Sequence, residues 1–192
     1  YSGFCFTTLD TPAVQLAVHD IIQSGKPVVS VNSDVPDSGR ICYVGTNYLG
    51  AGKTAAGMTN FIIHSPLKIL IITGSYNIRG HKERIKGFEE GLNSHKIDYT
   101  IVDTIEAEDD DDFSYSKTKD FLKTNSEINC IFVAAAGSTG VCQAVEELNR
   151  KDIHVIAFDE VPSIKKYIQS GLIKFTIGQE PELQGYMGIQ KL

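Results

Sequence analysis

The chain has 192 residues, 42% of them hydrophobic, and a formal charge of −6, enough apolar material for one large α/β domain or two small lobes. Seven acidic residues between Asp103 and Asp112 account for that charge, and the remainder nets one positive charge. No basic stripe is available to neutralise phosphates, which argues against nucleic-acid binding by these residues, and no apolar run approaches the roughly 18 residues of a membrane-spanning helix.

In chain order, GFCFT over residues 3–7 predicts a strand. Asp10-Thr11-Pro12 then supplies a cap and an early proline for a helix over 12–24. The helix's stripe of Val14, Leu16, Ala17, Val18, Ile21 and Ile22 ends at Gly25. The β-branched run 28–31 predicts a buried strand that turns polar at Asn32-Ser33-Asp34, and a second short strand covers 41–44. After Gly45-Thr46-Asn47 the pattern restarts. It runs through helix 49–64, strand 68–73 with its tip at Gly74-Ser75-Tyr76, helix 80–94 and strand 99–102.

The acidic run suits the amino-terminal end of a helix over 114–124, where the helix dipole favours negative charge. Strand 130–135 leads to Ala136-Gly137-Ser138, helix 139–150 follows, and strand 153–158 ends at Asp159. A helix over 162–170 and a strand over 173–177 bring the chain to Gly178-Gln179-Glu180-Pro181. Alternating strands and helices predict parallel sheets, with ligand-facing residues at the strands' carboxyl ends. Three strands precede Asn47 and five follow it, so the first lobe is short of strands.

Several motifs have two readings. Asn47 to Thr54, NYLGAGKT, comes within one residue of a phosphate-binding loop, with VIAFDE over 155–160 as its acidic strand. The motif needs glycine where Asn47 stands, and Ala51, Ala55 and Met58 continue a helical stripe, so Gly50 and Gly52 read as close-packing residues in a helix and Lys53 not as a phosphate ligand. Asp159 is either a carboxylate offered to ligand hydroxyls at a strand tip or a cap for the helix at Pro162. Arg84 is either a forked donor near the sheet edge or a surface arginine paired with Glu83 or Glu90. Cys5, Cys42, Cys130 and Cys142 lack metal-ligand spacing and read as free thiols. The five histidines lie in unrelated contexts, so neither metal, cofactor nor catalytic constellation is expected.

Taken together, KPVVSVNSDVPDSGRICYVGTNYLGAGKTAAG, ERIKGFEEGL, IFVAAAGSTGV, VIAFDE and TIGQEPELQGYMGI resemble the type I periplasmic binding proteins of sugar ABC transporters, the ribose-binding-protein-like branch. The resemblance implies an α/β fold of two Rossmann-like doubly wound lobes around a ligand cleft. Residues 1–46 and 179–192 would form a partial N-terminal lobe and 47–178 a C-terminal lobe. It also implies hinge closure on a sugar or related polyol without catalysis. Carried over by position, the ligand-binding residues would be Asn32, Ser33, Arg84, Gly137, Ser138, Asp159 and Gln179. Asn32 stands where the family has Asp, Ser33 where ribose binders have Arg, and Ser138 takes the place of an absent amide.

Two βα units that open the family's first lobe have no counterpart here, which predicts roughly 50–60 further residues ahead of Tyr1 or a partner chain in their place. The implied partner is an ABC transporter permease, and the implied location is extracytoplasmic, periplasmic or as a cell-surface lipoprotein, as a monomer. The same fold serves LacI-type regulators and the sensor domains of kinases. The segment FIIHSPLKILII lacks the Gly-His pair usual in the regulators, and VNSDVPDS is more like a transporter component.

Overall fold

Val28–Val31 (β2) lies at the centre of a three-stranded parallel sheet, flanked by Phe4–Phe6 (β1) and Cys42–Val44 (β3). The computed structural model that shows this order describes residues 1–64 and 66–192; Ser65, within the segment 61–72 weighed above, lies outside the described residues. The chain divides into two units. Unit 1 comprises Tyr1–Asn47, Ile78–Gly80 and Gln179–Leu192, and unit 2 comprises Tyr48–Asn77 and His81–Gly178.

In unit 1, Val28, Val29 and Ser30 are fully buried because β2 is paired on both sides. Helix α1 (Pro12–Gln23) starts at Thr11, whose hydroxyl accepts the Val14 N–H at 3.3 Å. Its apolar stripe is less buried than the sequence pattern suggests. Val18 alone is fully covered and Leu16 stays 67% exposed, since β1 is an edge strand and offers the helix little surface. The turn after β2 is held by Asp34, which accepts two hydrogen bonds from Arg40 at 2.5 and 2.6 Å and one from Ser30 at 2.9 Å. A further helix, Pro181–Lys191, was not anticipated from the sequence; its Gly188 sits against Cys5 Sγ and Val31 on the sheet.

Unit 2 begins with α2 (Tyr48–Ile62) and β4 (Leu67–Thr73), followed by α3 (Arg79–Ser94), whose first two residues fall in unit 1, and β5 (Tyr99–Glu106). Next come α4 (Asp111–Thr124), β6 (Cys130–Val133), α5 (Ser138–Glu147) and β7 (His154–Phe158). A 3₁₀ turn over Pro162–Ile164 runs into α6 (Lys165–Gln169), then β8 (Ile173–Ile177); the helix at the end of unit 1 is α7. The strands are all parallel in the order β5-β4-β6-β7-β8.

Strand alternation sorts the core onto two faces. Leu70, Ile72, Ile131, Val133, Val155 and Ala157 form one layer, and Ile69, Ile71, Phe132, Ile156 and Phe158 form the other. Because both faces are covered, these strands read as continuous apolar runs.

Two expected boundaries move. β5 continues through Glu106, so Asp103 and Glu106 are strand residues, and α4 starts earlier, capped by Asp110, which accepts the Phe113 N–H at 2.7 Å. The segment Asn47–Thr54 forms no loop. From Tyr48 onward it is helix, and Lys53 pairs with Glu90 at 2.8 Å.

Helices α2 and α3 meet backbone to backbone. A Cβ on Gly52 would strike Arg84 O and Phe88 N, and one on Gly87 would strike Leu49 O. Gly52→Ala should therefore force the two helices apart and cost about 1–3 kcal/mol, the range for overpacking a tight core, measured as a fall in the urea unfolding midpoint. An unchanged midpoint would mean that this contact is not tight.

Candidate functional site

In each unit the parallel strands bring their carboxyl ends to one sheet edge. On the edge of unit 2 lies Arg84, only 4% exposed although it is a charged residue on a mostly polar helix. Its guanidinium carbon stands 4.2 Å from the centroid of the Phe158 ring and 4.9 Å from that of Tyr48, and Nη1 donates to Ala134 O at 2.9 Å. The tight α2–α3 contact sets this position, because the Arg84 carbonyl occupies the space that a Cβ on Gly52 would need.

Phe158 is the last residue of β7, and Asp159 follows it in the left-handed region at φ 66°. The Asp159 N–H donates to Ile177 O at 2.9 Å, and its carbonyl accepts the Thr176 hydroxyl at 2.5 Å, so β8 pins this turn. The helix-cap reading of Asp159 is not realised. The cap of the following 3₁₀ turn is Val161, without a side-chain bond.

Gly137 is left-handed at φ 97° and opens α5, with Ser138 buried as that helix's first residue. Unit 2 thus gathers Arg84, Gly137, Ser138 and Asp159 at one edge. Tyr48 and Phe158, which flank the arginine, were not singled out from the sequence. Their aromatic character was visible, but their convergence on one guanidinium depends on the packing.

In unit 1, Asn32 follows β2 directly and is also left-handed, at φ 62°. Its carbonyl accepts the Tyr43 hydroxyl at 2.8 Å, and its N–H donates to Val44 O at 3.0 Å. Ser33 is half-buried beside it. Gln179 lies just before α7, where its carbonyl accepts from Gln184 Nε2 at 2.6 Å.

All four cysteines are free, and burial pushes the Cys130 and Cys142 thiols up to about 12, far from a reactive thiolate. Among the described residues no group of three or more His, Cys, Asp and Glu is arranged to hold a metal.

Two parallel-sheet units whose strand tips carry polar side chains define an α/β protein of the solute-binding class. Residues 1–192 match the periplasmic binding protein domain family, and the chain belongs to that family, in its type I, ribose-binding-protein-like branch. The ribose import binding protein RbsB of Haemophilus influenzae is 23% identical over 164 residues, which is 85% of this chain and 55% of that protein. The chain thus spans little more than half the length of this relative. Among solved structures, XylFII is 30% identical with a TM-score of 0.92, covering 98% of this chain and 70% of that one, and it is also known in a complex with LytSN. A solute-binding protein of an ABC transporter from Burkholderia graminis C4D1M, in complex with D-arabinose, is 26% identical with a TM-score of 0.91 over 98% of this chain and 67% of its own.

Two predictions follow from the geometry. Asn32 tolerates its left-handed backbone better than a residue without a short polar side chain, so Asn32→Ala should lower stability by about 1 kcal/mol while Asn32→Gly leaves it nearly unchanged; thermal unfolding of the pair checks this. His81, at the start of α3, has its pKa held below the ordinary 6.5, chiefly by burial, with the Arg84 charge adding to the effect and Asp109 opposing it. The unfolded chain therefore binds a proton here first as pH falls. The stability His81 contributes is complete above about pH 6.5 and is lost as pH drops toward the folded pKa. Melting temperatures from about pH 7.5 to 5 should fall more steeply for the wild type than for His81→Gln; parallel curves would contradict this.

Proposed function

We propose that this protein binds a sugar or related polyol, without catalysing a reaction, as the extracytoplasmic solute-binding component of an ABC transporter. The observation that carries the reading is Arg84, a desolvated guanidinium fixed between two aromatic rings at the sheet edge, with Asp159 next to one of them. A sugar hydroxyl both donates and accepts, so an edge that offers a rigid donor beside a carboxylate acceptor suits it. Gly137 and Ser138 add the start of α5 to the same edge; unit 1, taken by itself, carries Asn32, Ser33 and Gln179 as its own polar candidates. Family membership supports binding over chemistry. The names of RbsB, an import binding protein for ribose, and of the arabinose-bound transporter component support a monosaccharide and an import role. A permease is then the protein partner.

A second reading is favoured by one finding, the resemblance to XylFII, which forms a complex with LytSN. On that reading the sugar-loaded protein reports to a partner protein rather than feeding a permease. Co-purification with a membrane permease or with a second soluble protein separates the two.

Calorimetry with a panel of pentoses, hexoses and polyols tests the binding itself. Arg84→Lys keeps the charge but loses the planar fork, and Asp159→Asn keeps the left-handed turn but loses the charge. Each should weaken the tightest sugar by about tenfold or more, matching the roughly 1.5–3 kcal/mol of a charge-assisted hydrogen bond; the melting temperature should change little for Asp159→Asn and fall for Arg84→Lys, which disturbs the buried contacts of Arg84 with Ala134 O, Tyr48 and Phe158. Wild-type affinity in both variants would overturn the assignment of this edge.

A further inference from the structure

One carboxylate ties together the tips of β4 and β6 at the sheet edge that carries Arg84. Glu108 and Asp109 follow β5 in succession with φ of 55° and 59°, two left-handed residues in a row, neither of them glycine. Two backbone bonds hold this turn against the tip of β4, Ala107 N–H to Thr73 O at 2.7 Å and Glu108 N–H to Gly74 O at 2.9 Å. The turn directs the Asp109 side chain across the sheet edge. Its Oδ1 accepts the Ala136 N–H at 3.1 Å and lies 3.8 Å from Nε2 of His81, whose Nδ1 accepts the Ser75 N–H at 3.4 Å. Gly74 lies close beneath, and a Cβ there would collide with all three carboxylate atoms.

The segment that Asp109 grips also packs against α4, where a Cβ on Gly137 would strike Ser114 Oγ and one on Gly140 would strike Asp111 O. Gly137 opens α5 without a side-chain cap, and the neighbouring amides are taken by two carboxylates from the β5–α4 connection, Ala136 N–H by Asp109 and Gly140 N–H by Asp111 at 3.2 Å. Negative charge there also suits the positive end of the helix dipole.

We propose that Asp109 is a positioning residue: its carboxylate latches Ala136-Gly137-Ser138 to the tip of β4, holding that segment ready for the ligand, and residue 74 is glycine to leave the carboxylate room. The consequence for affinity rests on the sugar-binding reading, while the latch itself does not. Its acceptor atom matters more than its charge, which separates the conservative variants. Asp109→Asn keeps an acceptor and tolerates the left-handed backbone. Asp109→Gly keeps only the backbone, and Gly74→Ala displaces the carboxylate without altering residue 109.

Amide hydrogen exchange at Ala136, followed by NMR, is read alongside calorimetry with D-ribose, D-xylose, D-arabinose, D-glucose and D-galactose. Asp109→Gly and Gly74→Ala should each speed Ala136 exchange and weaken the tightest of these sugars by about fivefold, the scale of one hydrogen bond. Asp109→Asn should stay within about twofold of wild type, and the double variant should be no worse than Asp109→Gly alone. Unchanged Ala136 exchange in both Asp109→Gly and Gly74→Ala overturns the latch. Faster exchange with unchanged sugar affinity overturns its role in binding. If the wild type binds none of the five sugars while Ala136 exchange still responds, the latch stands and the sugar-binding reading fails.

Discussion

The burial of Arg84 is the constraint on which the rest of unit 2 depends. Removing a guanidinium from water carries a penalty of several kcal/mol unless its charge and donors are met. Here two aromatic faces, each contributing about 0.5–2 kcal/mol, and the Ala134 carbonyl offset it. Those partners come from three separate elements, so the site exists only if α2, α3 and the β6 and β7 tips hold their places. The glycine contacts between α2 and α3 provide that, bringing the backbone of Gly52 onto the very turn that carries Arg84. A phosphate loop and this packing are alternative uses of the same glycines, and the helix that starts at Tyr48 takes the second.

The strand tips follow a common physical pattern. Asn32 after β2, Asp159 after β7 and the Glu108-Asp109 pair after β5 all adopt the left-handed conformation, which costs most side chains roughly 1 kcal/mol or more. Asn and Asp tolerate it best among non-glycine residues because their short polar groups can bond locally. The residue types that can turn the chain sharply off the end of a strand are thus also those with the oxygens and amides a polyol needs. Under the proposed function, backbone and ligand roles would overlap at Asn32 and Asp159, and substitutions to alanine would alter both together.

Much of the fold was legible because it is parallel and buried. Runs such as residues 68–73 and 130–135 are nearly continuous in apolar residues, and the glycines and prolines between the runs mark the turns. β5 was read too short because it is an edge strand. Thr100, Asp103 and Glu106 face solvent, so its outer half looks like the start of the acidic loop. α7 escaped notice because its apolar residues Leu183, Tyr186 and Ile189 are exposed and its buried positions are Gln184 and Gly188.

At the candidate site, Asp159 and Gly137 were legible as strand-tip residues, whereas the aromatic flanks of Arg84 and the reach of Asp109 were not. The first depends on the closeness of two helices. The second depends on a left-handed turn inside a run of acidic residues in which no single carboxylate stands out.

The central claim is that the edge carrying Arg84 and Asp159 holds the ligand. A crystal structure of the protein with its tightest-binding sugar tests it most directly. The account predicts ring hydroxyls within about 3.2 Å of the Asp159 carboxylate and of the Arg84 guanidinium, with Arg84 still between Tyr48 and Phe158. A sugar seated elsewhere, with neither side chain touching it, would contradict the account.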